Sequence, residues 1–98
     1  MVKKNFSKTR RKCRVTFELP SEVGAKKASL CGEFNEWKPR VDLMKRRKDG
    51  RFSITISLPA GRSYRFKYLL DGRRWENDWS ADAYVPNSFG SEDSLVQL

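Results

Sequence analysis

The chain has 98 residues, 38% hydrophobic and 12% aromatic, with 21 basic residues, 12 acidic residues and no histidine. A chain this short makes one domain near the lower limit for burying a core without staples, and no apolar run approaches the length of a membrane span. Two cysteines without a histidine exclude a disulfide framework and a zinc set.

The first element is an arm. Lys3, Lys4, Lys8, Arg10, Arg11 and Lys12 give residues 1–12 a charge of +6, whereas the other 15 basic and 12 acidic residues leave the remainder at only +3. Such a segment is expected to be a disordered, solvated tail that attracts polyanions at low salt. It lacks the apolar stretch of a secretory signal, so a cytoplasmic location is expected. The folded domain is then residues 13–98.

From Cys13 to Leu19 the apolar residues Cys13, Val15, Phe17 and Leu19 alternate with Arg14, Thr16 and Glu18, the pattern of a half-buried strand that Pro20 stops. A polar connection containing Gly24 leads to a short strand, Ala28 to Cys31. By alternation Cys13 faces the core and Cys31 lies on the opposite side of its strand, so the two thiols are expected to be unbonded.

Gly32-Glu33-Phe34-Asn35-Glu36-Trp37-Lys38-Pro39 follows, a turn too short and too polar to bury its large aromatic. Trp37 is expected to face outward, with Gly32 and Asn35 supplying left-handed backbone. Val41 to Lys45 is a weak strand, and Asp49-Gly50 is a hairpin signal. Arg51 to Leu58 alternates cleanly, with Phe52, Ile54, Ile56 and Leu58 facing inward.

Pro59-Ala60-Gly61 turns the chain into Tyr64 to Leu70. Tyr64, Phe66, Tyr68 and Leu70 face inward there, and Arg65, Lys67 and Leu69 lie on the outer face. Asp71-Gly72 delivers Arg73, Arg74 and Trp75; Ala81 to Ser94 reads as a loop, and Leu95 to Leu98 as a last strand. Six or seven short strands without a useful helical period argue for an all-β, two-sheet sandwich.

The turn G-x-F-N-x-W, then Tyr64 to Gly72, Trp75 with Asp78, and Phe89 to Leu98 together resemble, in this order, the glycogen- and starch-binding modules. That family includes the module of the AMP-activated protein kinase β subunit and those ahead of the barrels of branching and debranching enzymes. The resemblance covers residues from about 13 to the end and implies an immunoglobulin-like sandwich of the early-set type that binds an α-1,4-linked glucan. A pyranose has an apolar face of C–H groups and a rim of hydroxyls, which suits flat aromatics and polar side chains.

On this resemblance Trp37 and Trp75 are the stacking platforms, Lys67 donates to hydroxyls, Asp93 accepts from them at the rim, and Phe89 and Ser91 belong to a contacting loop. Three departures bear on the site. Asp93 stands where the glycogen-binding members have asparagine, one extra residue separates Asp71-Gly72 from Trp75, and Trp79 replaces the proline after the aspartate. Trp79 is either a third platform or a plug for the sandwich end, and the plug is favoured because buried aromatics outnumber binding ones.

Catalysis is not expected. Glu33, Glu36, Asp71, Glu76 and Asp78 are placed on exposed turns where nothing raises a pKa for acid catalysis, and no cofactor or metal is implied. The chain ends where the module ends, which points to a free-standing binding domain that acts alone or beside a glucan-metabolising enzyme or regulatory protein. Two other readings differ in what they require. A protein-interaction module of the same fold needs an apolar patch away from the tryptophans, and a nucleic-acid binder needs the basic arm continued as a stripe across the sandwich.

Overall fold

The computed structural model describes all 98 residues. Ten short strands form two antiparallel sheets packed face to face. One holds β1 (Val2–Phe6), β2 (Lys12–Leu19), β6 (Phe52–Pro59) and β5 (Lys45–Arg46), in the order β1-β2-β6-β5. The other runs β4 (Asp42–Leu43), β3 (Ala28–Gly32), β7 (Ser63–Leu70), β10 (Glu92–Gln97), β9 (Ala83–Pro86), with β8 (Arg74–Glu76) also paired to β7. This is the all-β, immunoglobulin-like sandwich expected from the alternating pattern.

The inward sets of β2, β6 and β7 make the core. Phe17 and Phe66, from opposite sheets, meet edge to face with ring centroids 5.0 Å apart, and Phe66 packs on Tyr68 at 5.7 Å. Cys13 and Cys31 are both buried and both free. Burial, with Asp42 nearby, pushes the Cys31 thiol up to about 11.

Five features differ from the expectation. Residues 2–6, expected to be a loose arm, pair with β2 in the register Val2↔Phe17 to Phe6↔Cys13. Val2 and Phe6 are half-buried against the core, and Lys4, on their face, reaches across to Asp82, just ahead of β9 of the other sheet, at 2.6 Å. The basic charges masked a two-residue apolar anchor. The weak strand around Val41 to Lys45 divides into β4 and β5, one in each sheet, with buried Met44 between them.

Within the expected loop, β9 is a strand because Ala83 and Val85 pair with Leu95 and Asp93. Asp78, expected on an exposed turn, is buried: its carboxylate accepts from the Tyr68 hydroxyl at 2.6 Å and pairs with the Met1 ammonium at 2.7 Å. Trp79 follows it and is 56% exposed, so it does not plug the sandwich end. Asp78 takes the inward position instead, with Ser80 N donating to its side chain at 2.8 Å.

Candidate functional site

The outer face of the second sheet carries the site. Side chains alternate across a strand, so Arg65, Lys67 and Leu69 of β7 share that face. The register places Leu95 of β10 opposite Arg65, Cys31 of β3 opposite Lys67, and both Ser29 of β3 and Trp75 of β8 opposite Leu69. Leu69, between those last two, is buried although it points away from the core.

The G-x-F-N-x-W turn borders one side of this face. Gly32 is needed for close approach and not for conformation: its backbone is extended, at φ −167°, and a Cβ there would come within 2.7 Å of the Arg65 carbonyl oxygen. Left-handed backbone falls instead on Glu36 and Trp37, at φ 57° and 61°, a costly conformation for a bulky residue. Asn35 holds the turn in place. Its Oδ1 accepts from Gly32 N at 3.0 Å, and its Nδ2 donates to Leu30 O and to Asp42 at 2.8 and 2.7 Å.

Trp37 N then donates to Gly32 O at 2.9 Å and closes the turn back on the sheet. Trp37 faces the groove and is partly exposed, whereas Trp75 is 49% exposed.

The other side is the 87–91 loop. Asn87 Oδ1 accepts from Phe89 N at 2.9 Å and Ser91 N at 3.2 Å, an Asx-type turn. Phe89, at the tip, is 92% exposed. Ser91 Oγ accepts from Lys67 Nζ at 3.1 Å, which links the loop to the sheet.

Asp93 is a correction. It does not stand free at the rim but is 7% exposed; its carboxylate accepts from Asn87 Nδ2 at 3.0 Å and lies 3.5 Å from the Arg65 guanidinium. The carboxylate that replaces the family's asparagine is thus matched by a guanidinium beside it. Its position in β10, opposite Val85 of β9, draws it below the rim.

All six residues singled out in the sequence, Trp37, Lys67, Trp75, Phe89, Ser91 and Asp93, line one open groove of about 950 Å³. Glu33, Arg65, Pro86, Asn87 and Ser88 complete it. Three of these carry structural bonds. Glu33 accepts from Arg65 N at 2.7 Å, Arg65 donates to Pro86 O at 3.0 Å, and Asn87 holds the loop as described. Arg65 was legible from its two-residue spacing to Lys67, and Asn87 from the turn chemistry of Asn before Ser-Phe-Gly. Trp79 does not line the groove.

A half-open groove with two indoles, an ammonium and a phenyl tip offers stacking faces and directional donors. Of its carboxylates, Asp93 is buried and accepts from Asn87, and Glu33 is exposed and accepts from Arg65 N.

Residues 13–96 match the family model described as the glycogen recognition site of AMP-activated protein kinase. The chain is also similar to 5'-AMP-activated protein kinase subunit beta-2 of Mus musculus, Rattus norvegicus and Homo sapiens. It is 29% identical to each over 75 residues, 76% of this chain and 26% of the relative. It therefore spans about a quarter of the length of these relatives.

Proposed function

The chain belongs to the family of the AMP-activated protein kinase glycogen recognition site, and we propose that it binds an α-1,4-linked glucan, glycogen, starch or a maltodextrin, in the groove between Trp37 and Phe89. The observation that carries this reading is the convergence of six residues, from four stretches of sequence, on one concavity. Trp75 stacks under one sugar face, Trp37 with its partly covered ring supports a neighbouring sugar, and Lys67 donates to hydroxyl oxygens. Phe89 closes over the chain from the loop tip.

Asp93 acts through Asn87 and Arg65, whose positions it fixes, more than by direct contact. The domain acts as a binding module, as its family membership supports. Its role is to bring a cytoplasmic glucan to a partner, either a glucan-metabolising enzyme or, as the names of the relatives suggest, a regulatory kinase assembly. The nucleic-acid reading loses support, because Lys3 and Lys4 of the basic segment are paired with Glu18 and Asp82.

The test is tryptophan fluorescence titrated with maltoheptaose and with cellohexaose. A saturable change with the α-linked sugar alone is expected. No response to maltoheptaose, or an equal response to both sugars, overturns the assignment.

A further inference from the structure

Trp75 borders two concavities. One edge lines the groove described above, and it also lines a separate hollow of about 740 Å³ whose charged walls are Asp71, Arg73 and Arg74. The local backbone explains the division. Trp75 lies opposite Leu69 on the outer face, whereas its neighbour Arg74 lies opposite Leu70, whose side chain is in the core, so the two side chains leave β8 on opposite faces. The hollow wraps around the β8 edge from the indole to Val23 and Gly24. A curved α-glucan leaving the groove over Trp75 would enter it.

The charges in this hollow are unbalanced. Asp71 Oδ1 accepts from the backbone N–H groups of Lys26 and Lys27 at 2.9 and 3.0 Å, which lowers its pKa, and its charge also faces Arg73 and Arg74 and offsets one of the two guanidinium charges. Arg74 donates through Nη2 to Val23 O, and its Nη1 lies 3.9 Å from Glu76, a loose and solvated pair. Arg73 is exposed in the turn, with its side chain in none of the hydrogen bonds or ion pairs of the chain. Two guanidinium groups, one of them without a hydrogen-bond or ion-pair partner, thus line open space beside a sugar platform. A neutral sugar makes little use of such a fork, whereas a phosphate monoester matches it in charge and in bidentate geometry.

We propose that this second hollow receives a phosphate monoester carried on the glucan, so that the domain selects phosphorylated over neutral α-glucan. The sugar ring lies on Trp75, and the phosphate oxygens accept from Arg73 and from the N–H groups that Arg74 has left. The inference rests on the glucan reading and adds to it the class of chain preferred.

Calorimetric titration of the full chain tests it with three ligands: maltoheptaose, the same heptasaccharide bearing a 6-phosphate monoester, and glucose 6-phosphate. The phosphorylated heptasaccharide should bind about tenfold more tightly than the neutral one, the scale of one charge-assisted hydrogen bond, and the advantage should shrink as salt is raised. Arg73→Gln should remove most of the advantage and leave maltoheptaose affinity unchanged, and Arg73→Lys should keep part of it.

Equal affinity for the two heptasaccharides overturns the phosphate inference and leaves the glucan reading intact. So does an advantage that survives Arg73→Gln. Glucose 6-phosphate binding as tightly as the phosphorylated heptasaccharide identifies a free sugar phosphate as the ligand and also overturns it. Failure of both heptasaccharides to bind sinks the glucan reading, and this inference falls with it.

Discussion

Asn87 Nδ2 donates to Asp93 Oδ1 at 3.0 Å, and the same Asn87 receives Phe89 N and Ser91 N on its own Oδ1. A buried carboxylate on a strand therefore sets the position of the loop that rims the groove. Replacing Asn87 with alanine removes all three bonds from a surface loop. Glucan affinity should fall about three- to tenfold, with thermal stability lowered by roughly 1 kcal/mol or less, since a net hydrogen bond is worth about that much and the loop is solvated. Asp93→Asn keeps an acceptor for Asn87 and should retain binding. Calorimetry of both variants checks the pair, and unchanged binding in Asn87→Ala would show that the loop does not need to be held.

The two groove tryptophans should behave differently. Trp75 is half exposed, and its truncation to alanine should weaken maltoheptaose binding by about tenfold or more, from the loss of roughly 1–3 kcal/mol of stacking. Its melting temperature should change little, because exposed side chains contribute little to stability. Trp37→Ala should lower both affinity and melting temperature, because that ring is partly covered. A melting curve equal to the parent's for Trp37→Ala would return that ring to the role of a free platform.

Deleting residues 1–8 should destabilise the domain. The deletion strips Val2 and Phe6 from the core edge, opens the ladder of β2, and removes the Lys4–Asp82 pair. A loss of about 2 kcal/mol or more is expected from the two half-buried apolar side chains alone, which for a domain of this size lowers Tm by roughly 8 °C or more. An unchanged Tm would mean that the segment is a dispensable tail.

Tyr68 sets an alkaline limit on stability. Burial first, then the neighbouring Asp78 charge and the hydrogen bond to it, push its phenol well above the ordinary value of 10.0. The folded value is raised, so the contribution is fully present below pH 10 and is lost as pH rises above that toward the folded value, where the unfolded chain releases its proton first. Ultraviolet titration should show Tyr68 ionising only with unfolding. Tyr68→Phe should abolish that behaviour and cost about 1–3 kcal/mol, because Asp78 keeps its burial but loses a donor.

Asp71 acts at the opposite end of the pH scale. Hydrogen bonds from the Lys27 and Lys26 backbone N–H groups lower its pKa below the usual 3.8. Its contribution is present above that value and is lost as pH falls through the folded one. Asp71→Asn should flatten the acid limb of a stability–pH profile by lowering stability in the neutral region, where the charged carboxylate contributes, and change little at the acid end.

Much of the site was legible in the chain because strand parity is local. Lys67 had to be outside once Phe66 and Tyr68 were inside, since shifting the parity would move the aromatic set into water. The two-sheet architecture followed from the same two-residue periodicity, and the motif order carried the family.

Tertiary structure decided what depends on partners distant in sequence. Val2 and Phe6 became a strand only because β2 offered a free edge and a place in the core, a gain that composition dominated by charge cannot reveal. Asp78 is buried because Tyr68 and the amino terminus meet it from ten and seventy-seven residues away. Asp93 is below the rim because Asn87 and Arg65 satisfy it there. A carboxylate takes a buried position only where donors are assembled to repay its lost hydration, and that assembly is a property of the folded sheet, not of the residues on either side of it in sequence.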